Sequence, residues 1–118
     1  MDDEVSEAVI GAAFAVHNQL GFGFLESVCQ NALSIELTKN GIRHAQETPI
    51  RVWYDEHVVG EFKADFLVED SLIVELKSVT EIAVAHEVQL VNYLAATRIE
   101  AGLLINFGPT KVDVKRKF

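Results

Sequence analysis

A chain of 118 residues with 49% hydrophobic and 24% charged side chains has the length of one ordinary domain and a composition that excludes a disordered segment. No apolar run approaches the ~20 residues of a membrane span, and the single Cys29 cannot close an internal disulfide. The formal net charge of −8 weighs against a nucleic-acid partner without excluding one, because phosphate contacts depend on where Lys and Arg sit.

The acidic start, Met1-Asp2-Asp3-Glu4, lacks the basic region of a secretory signal. A cytoplasmic domain spanning residues 1–118, outside any membrane, is the expectation. Glu4 to Leu20 is predicted as a helix through Val5, Ala8, Val9, Ala12, Val16 and Leu20. Gly21-Phe22-Gly23 breaks it, and a second helix runs from Leu25 to Asn40 with a broad apolar face. Asn40-Gly41 is its stop. Thr48 to Tyr54 and Val58 to Val68 read as strands around a turn at Asp55-Glu56, and Leu72 to Lys77 completes a meander.

A third helix is predicted from about Ala83 to Thr97, with Val88, Val91 and Ala95 compatible with packing on the sheet. Gly102 to Phe107 is a continuous apolar run, as in a strand buried on both faces. Gly108-Pro109 turns the chain into an edge strand, Val112 to Lys117. The order predicts an α/β (α+β) fold, a central mixed sheet flanked by helices.

Chemistry concentrates in the pattern Asp65-x9-Glu75-x-Lys77, set in two alternating runs, FKADFLV and LIVELK. If Glu69-Asp70-Ser71 is the loop of a hairpin symmetric about Asp70, Asp65 sits directly opposite Glu75, and Lys77 shares its face. The same register places Lys63 opposite Lys77. Facing Cβ atoms are roughly 5 Å apart, so two carboxylates there repel unless a cation lies between them. Mg²⁺ or Mn²⁺ suits such a pair: a hard ion taking oxygen ligands, able to polarise a phosphoryl oxygen and acidify water. The Leu76 carbonyl is a further candidate ligand, and Lys77 could stabilise charge developing on a phosphate. Alone, Glu-x-Lys is common on solvated strands; the aspartate opposite makes it informative.

Gln89 and Tyr93 fall one turn apart on the third helix, with His86 on the same face. They could position a water or phosphate, although a polar helix surface gives the same spacing. Glu26 opens the second helix, either compensating the helix dipole or reaching a metal as an outer carboxylate. His17 reads as a packed or capping side chain, and Cys29 as a small buried hydrophobe. Lys111, Lys115, Arg116 and Lys117 gather positive charge at the C-terminus, as a nucleic-acid contact or a solvated strand.

These residues resemble the PD-(D/E)XK nuclease superfamily, and within it the small bacterial proteins of the GxxExxY family. The resemblance runs through Val16-His17, Leu20-Gly21, Gly23-Phe24-Leu25-Glu26, Ala64-Asp65, Ile73 to Lys77, Gln89-Leu90, Asn92-Tyr93-Leu94 and Gly102 to Gly108. It implies a restriction-endonuclease-like core and a magnesium- or manganese-dependent nuclease acting on DNA. Asp65, Glu75 and Lys77 match the catalytic triad, and Glu26 matches an acid contributed from the preceding helix. Gln89 and Tyr93 match a Gln-x-x-x-Tyr motif of exonuclease-like members. Cys29 stands where the family's named tyrosine would be, and Ala64 where the superfamily has proline. Two other readings remain open: a silent or partner-dependent nuclease-fold module, and a homodimeric junction-type nuclease.

Overall fold

The computed structural model describes residues 3–118; Met1 and Asp2 lie outside them. The described residues form α1 (Asp3–Leu20), α2 (Glu26–Lys39), β1 (His44–Tyr54), β2 (His57–Val68), β3 (Leu72–Lys77), α3 (Val84–Thr97), β4 (Ala101–Phe107) and β5 (Val112–Lys117). The strands make one mixed sheet in chain order, in which β3 and β4 are parallel and the other neighbours antiparallel. The parallel step needs a crossover, and α3 supplies it.

Alternation along the central strands sorts their side chains into two cores. Val74, Leu76, Leu103 and Ile105 pack with Val9, Val16, Leu33 and Leu37 of α1 and α2. Ile73 and Leu104 point the other way, to Leu90, Tyr93 and Leu94 of α3. Each fully buried Leu or Ile contributes roughly 1.5–3 kcal/mol, so β4, buried from end to end, is a main source of stability. Close approach of α3 depends on Gly102, where a Cβ would meet Leu90 Cδ1 at 2.8 Å.

The structure corrects the expected helix faces. Ala8, Leu25 and Ile35 are exposed; Ala13 of α1 and the Cys29–Leu33–Leu37 stripe of α2 are buried instead. On α3, Val88, Val91 and Ala95 face solvent, and Leu90, Tyr93 and Leu94 face the sheet. Apolar residues stand on both sides of that helix, so periodicity alone does not choose between them. β1 also begins at His44, four residues before Thr48, because pairing of His44 with Val68 extends it through a polar stretch without alternation. Among the described residues no helix is long and apolar enough to cross a membrane.

Candidate active site

The β2–β3 hairpin closes on a turn in which Glu69 and Asp70 both have positive φ, 50° and 55°, and Ser71 N–H donates to Val68 O at 3.0 Å. Positive φ is uncommon for such residues, and Arg43 ties the turn down. Its backbone N–H donates to Glu69 Oε1 at 2.9 Å, its carbonyl accepts from Glu69 N–H at 2.9 Å, and its guanidinium lies 3.2 Å from Asp70. Three ladder pairs follow, Val68 with Leu72, Leu67 with Ile73, and Phe66 with Val74, in the register expected from the sequence.

There the ladder stops. At the next pair the two carboxylates take over the backbone donors: Asp65 N–H donates to Glu75 Oε2 and Leu76 N–H to Asp65 Oδ2, each at 2.7 Å. The strands therefore part at the acid pair while every buried polar side-chain atom described retains a partner. Lys63, expected opposite Lys77, pairs with Pro49 on β1 instead, since pairing to β3 has ended before it.

Asp65 also marks a change of face along β2. Phe66 and Val68 belong to the core under α1 and α2, yet Ala64, two residues from Phe66, belongs to the core under α3. A regular strand keeps residues two apart on one side. The exchange coincides with Glu47 on β1, at φ 53°, where β1–β2 pairing passes from Gln46–Phe66 to Thr48–Ala64 and skips Glu47 and Asp65. Glu75 and Lys77 follow Ile73 onto the α3 face, so acids and lysine open toward that helix.

Burial governs the electrostatics. Glu75 is 6% exposed; burial first, and then the charge of Asp65, push its carboxyl up to about 8, against the lowering pull of Lys77. Burial likewise raises Asp65, opposed by the Leu76 N–H and aided by the charges of Glu26 and Glu47. A buried acid and a partly buried one this close do not both ionise readily. Either a proton or a cation resolves the conflict.

The helices bring in the remaining candidates unequally. Tyr93 is buried, and its phenol is raised by burial and then by Glu75 and Asp65, so it lies within their field. Gln89 is half-buried beside it. His86 is engaged in capping α3: its Nδ1 accepts the Ala83 N–H at 3.1 Å. The start of α2 is held near the end of β3 by Ser78 Oγ donating to Phe24 O at 2.8 Å, which puts Glu26 close enough to act on Asp65. Among the described residues no three His, Cys, Asp or Glu side chains converge into a complete metal cage; Glu26 stands outside the pair. Two carboxylates, with water and substrate oxygens completing the sphere, are still a donor set that suits Mg²⁺. Leu76 contributes its N–H to Asp65, while its side chain is buried in the core.

Two contributors escaped the sequence reading. Asn106, fully buried, pairs in the ladder with Lys77; its Nδ2 donates to Val79 O and its Oδ1 accepts Val79 N–H, both at 2.9 Å. It brackets the segment leaving β3. A single polar residue inside the apolar run GLLINF was the available signal. Glu47 acts on Asp65 from the strand on the other side, and no local pattern announces it. His17 is packed as expected, bonded to Gly108 O at 2.8 Å and stacked on Phe107, and Cys29 is buried. Within the C-terminal basic run, Lys117 pairs with Glu87 at 2.8 Å and Lys111 with Asp113 at 3.6 Å.

A comparison with curated protein sequences finds no match. Among solved structures, the crystal structure of SSO0001 superposes with a TM-score of 0.61 at 20% sequence identity, covering 98% of this chain and 58% of that one. At that identity the likeness speaks for the fold, and this chain spans little more than half of the other. The family model of the PD-(D/E)XK nuclease superfamily matches residues 3–117, nearly the whole chain, and the mixed sheet with flanking helices is the restriction-endonuclease-like arrangement. The chain belongs to the PD-(D/E)XK nuclease superfamily.

Proposed function

We propose that the protein is a metal-dependent nuclease that hydrolyses DNA phosphodiester bonds, within the GxxExxY family, with Asp65, Glu75 and Lys77 as its catalytic residues. The observation that carries this reading is the acid pair at the split in the β2–β3 ladder, one oxygen of each carboxylate fixed by a backbone N–H. Asp65 and Glu75, with Glu26 as an outer carboxylate and the Leu76 carbonyl beside them, would hold Mg²⁺ or Mn²⁺. Such an ion supplies charge neutralisation at the phosphate and water of lowered pKa.

The chain's own groups do the rest. The backbone N–H groups of Asp65 and Leu76 aim the two carboxylates, so little reorganisation accompanies ion capture. Lys77, beside Glu75, presents an ammonium to the phosphate or to attacking water. Tyr93 and Gln89, stacked one turn apart, line the approach from α3 and orient the substrate strand. The net charge of −8 and the ion pairs that engage Lys111 and Lys117 favour a protein that gains affinity from a partner subunit or a second copy.

Calorimetric titration with Mn²⁺ of the wild type, Asp65→Ala and Glu75→Ala tests the ion site, followed by incubation with single-stranded, duplex and branched DNA with and without Mg²⁺. Both substitutions should abolish the titration heat, and cleavage should require the ion. Unchanged Mn²⁺ affinity in both variants would remove the proposed ligands. Metal binding without cleavage of any substrate would favour the silent or partner-dependent module.

A further inference from the structure

A groove of about 620 Å³ lies between the β1–β2 hairpin and α3, within the ~300–1,000 Å³ range of small-molecule sites. Val52 and Phe62 line it from the hairpin, and Val88, Gln89, Asn92 and Tyr93 from the helix. Tyr93 lines this groove and packs in one core cluster with Ala64 and Ile73, the first adjoining Asp65 in the chain and the second two residues from Glu75; the charges of both acids reach its phenol. The groove and the acid pair are therefore adjoining parts of one surface.

Phe62 is 46% exposed, yet its ring is seated. It tilts against Tyr93 with centroids 5.7 Å apart, and it folds over Gly60, where a Cβ would come 3.0 Å from the ring. A half-exposed aromatic held in one attitude offers a flat face. Gln89 and Asn92 add amides that can both donate and accept, the complement of a heterocycle's edge. Among the described residues no Lys or Arg lines the groove, so stacking rather than phosphate pairing is the attraction it offers a strand.

We propose that this groove is a base-binding subsite, which takes an unpaired nucleobase of the substrate strand on the face of Phe62 while the neighbouring phosphate meets the acid pair. The assignment rests on the nuclease reading and narrows it to single-stranded or frayed substrates, since paired bases already spend their faces on one another.

The test is fluorescence anisotropy of a labelled oligothymidine and an abasic strand of equal length, in Ca²⁺ without Mg²⁺ or Mn²⁺. Stacking worth roughly 1–3 kcal/mol per base predicts that Phe62→Ala weakens oligothymidine binding about 5- to 150-fold and leaves the abasic strand unaffected. Phe62→Leu keeps apolar bulk and should lose most of the same preference, which secures the reading if the alanine variant folds poorly. Equal wild-type affinity for the two strands overturns the proposal, as does wild-type discrimination in both variants. Dissociation of a dimer by Phe62→Ala, with discrimination unchanged, assigns the groove to a second copy and also overturns it. Base discrimination without Mg²⁺-dependent cleavage leaves the subsite standing and sinks the nuclease reading; cleavage without discrimination does the reverse.

Discussion

The two ends of the β2–β3 hairpin solve opposite problems with the same residue type. At the turn, Glu69 and Asp70 are exposed to Arg43, which offsets their charge and fixes the bend. At the other end Asp65, partly buried, and Glu75, buried, face each other, with the backbone ladder sacrificed so that each can accept an N–H. Acidic residues at the turn hold the register. Those at the split use that register to stand opposite one another. Stability and chemistry are thus separated along three ladder pairs.

The largest expected effect comes from removing the charge conflict at the open end. Glu75→Gln keeps an oxygen for the Asp65 N–H and so should fold normally, while Mn²⁺ affinity measured by calorimetry falls at least about 100-fold, the scale of a lost charged ligand (~3 kcal/mol or more). Retained affinity would mean that Glu75 is no ligand.

Next in size is the pH dependence of the ion-free protein. The Glu75 carboxyl is raised in the folded state to about 8 from an ordinary 4.5, so the native chain holds the extra proton and stability falls as pH rises through that window. Chemical denaturation from pH 5 to pH 8 should show the decline in wild type and much less of it in Glu75→Gln. Cation affinity should run the opposite way, rising toward pH 8 as the competing proton is lost. A flat wild-type profile would contradict the burial of the pair.

Asn106→Ala removes two buried hydrogen bonds at the same end and should cost about 2–4 kcal/mol in denaturant unfolding. Arg43→Ala, at the closed end, removes exposed ion pairs worth at most about 1 kcal/mol. If the arginine variant proved the more damaging of the two, the division of labour between the ends would be wrong.

Much of this contrast was legible in the chain. The short turn Glu69-Asp70-Ser71 between FKADFLV and LIVELK sets which residues face each other, so Asp65 opposite Glu75 follows from the turn, although Leu72-Ile73-Val74 is buried without a break and β2 changes face at Asp65. What local rules cannot give is where pairing ends. The carboxylates displace the ladder at the acid pair itself, and Lys63 is then left with Pro49 rather than Lys77. Nor does a helix with valines on one side and leucines on the other declare its buried face; the fit of Leu90 over Gly102 decides it. The early start of β1 and the role of Glu47 depend likewise on a neighbouring strand. The assignments of Gln89 and Glu26 rest on the resemblance more than on spacing, and that of the Leu76 carbonyl on its place between Glu75 and Lys77.

The Asn106 bracket gives the acid pair and Lys77 a floor that cannot readily tilt. Because β4 grips both the amide and the carbonyl of Val79, the stretch just beyond Lys77 is anchored to the middle of the sheet. Deuterium uptake at the Val79 amide should be as slow as in β4 itself, and the lysine should keep its station until the whole domain melts. Any movement around the acid pair then falls to the opposite wall, where the hairpin and α3 meet.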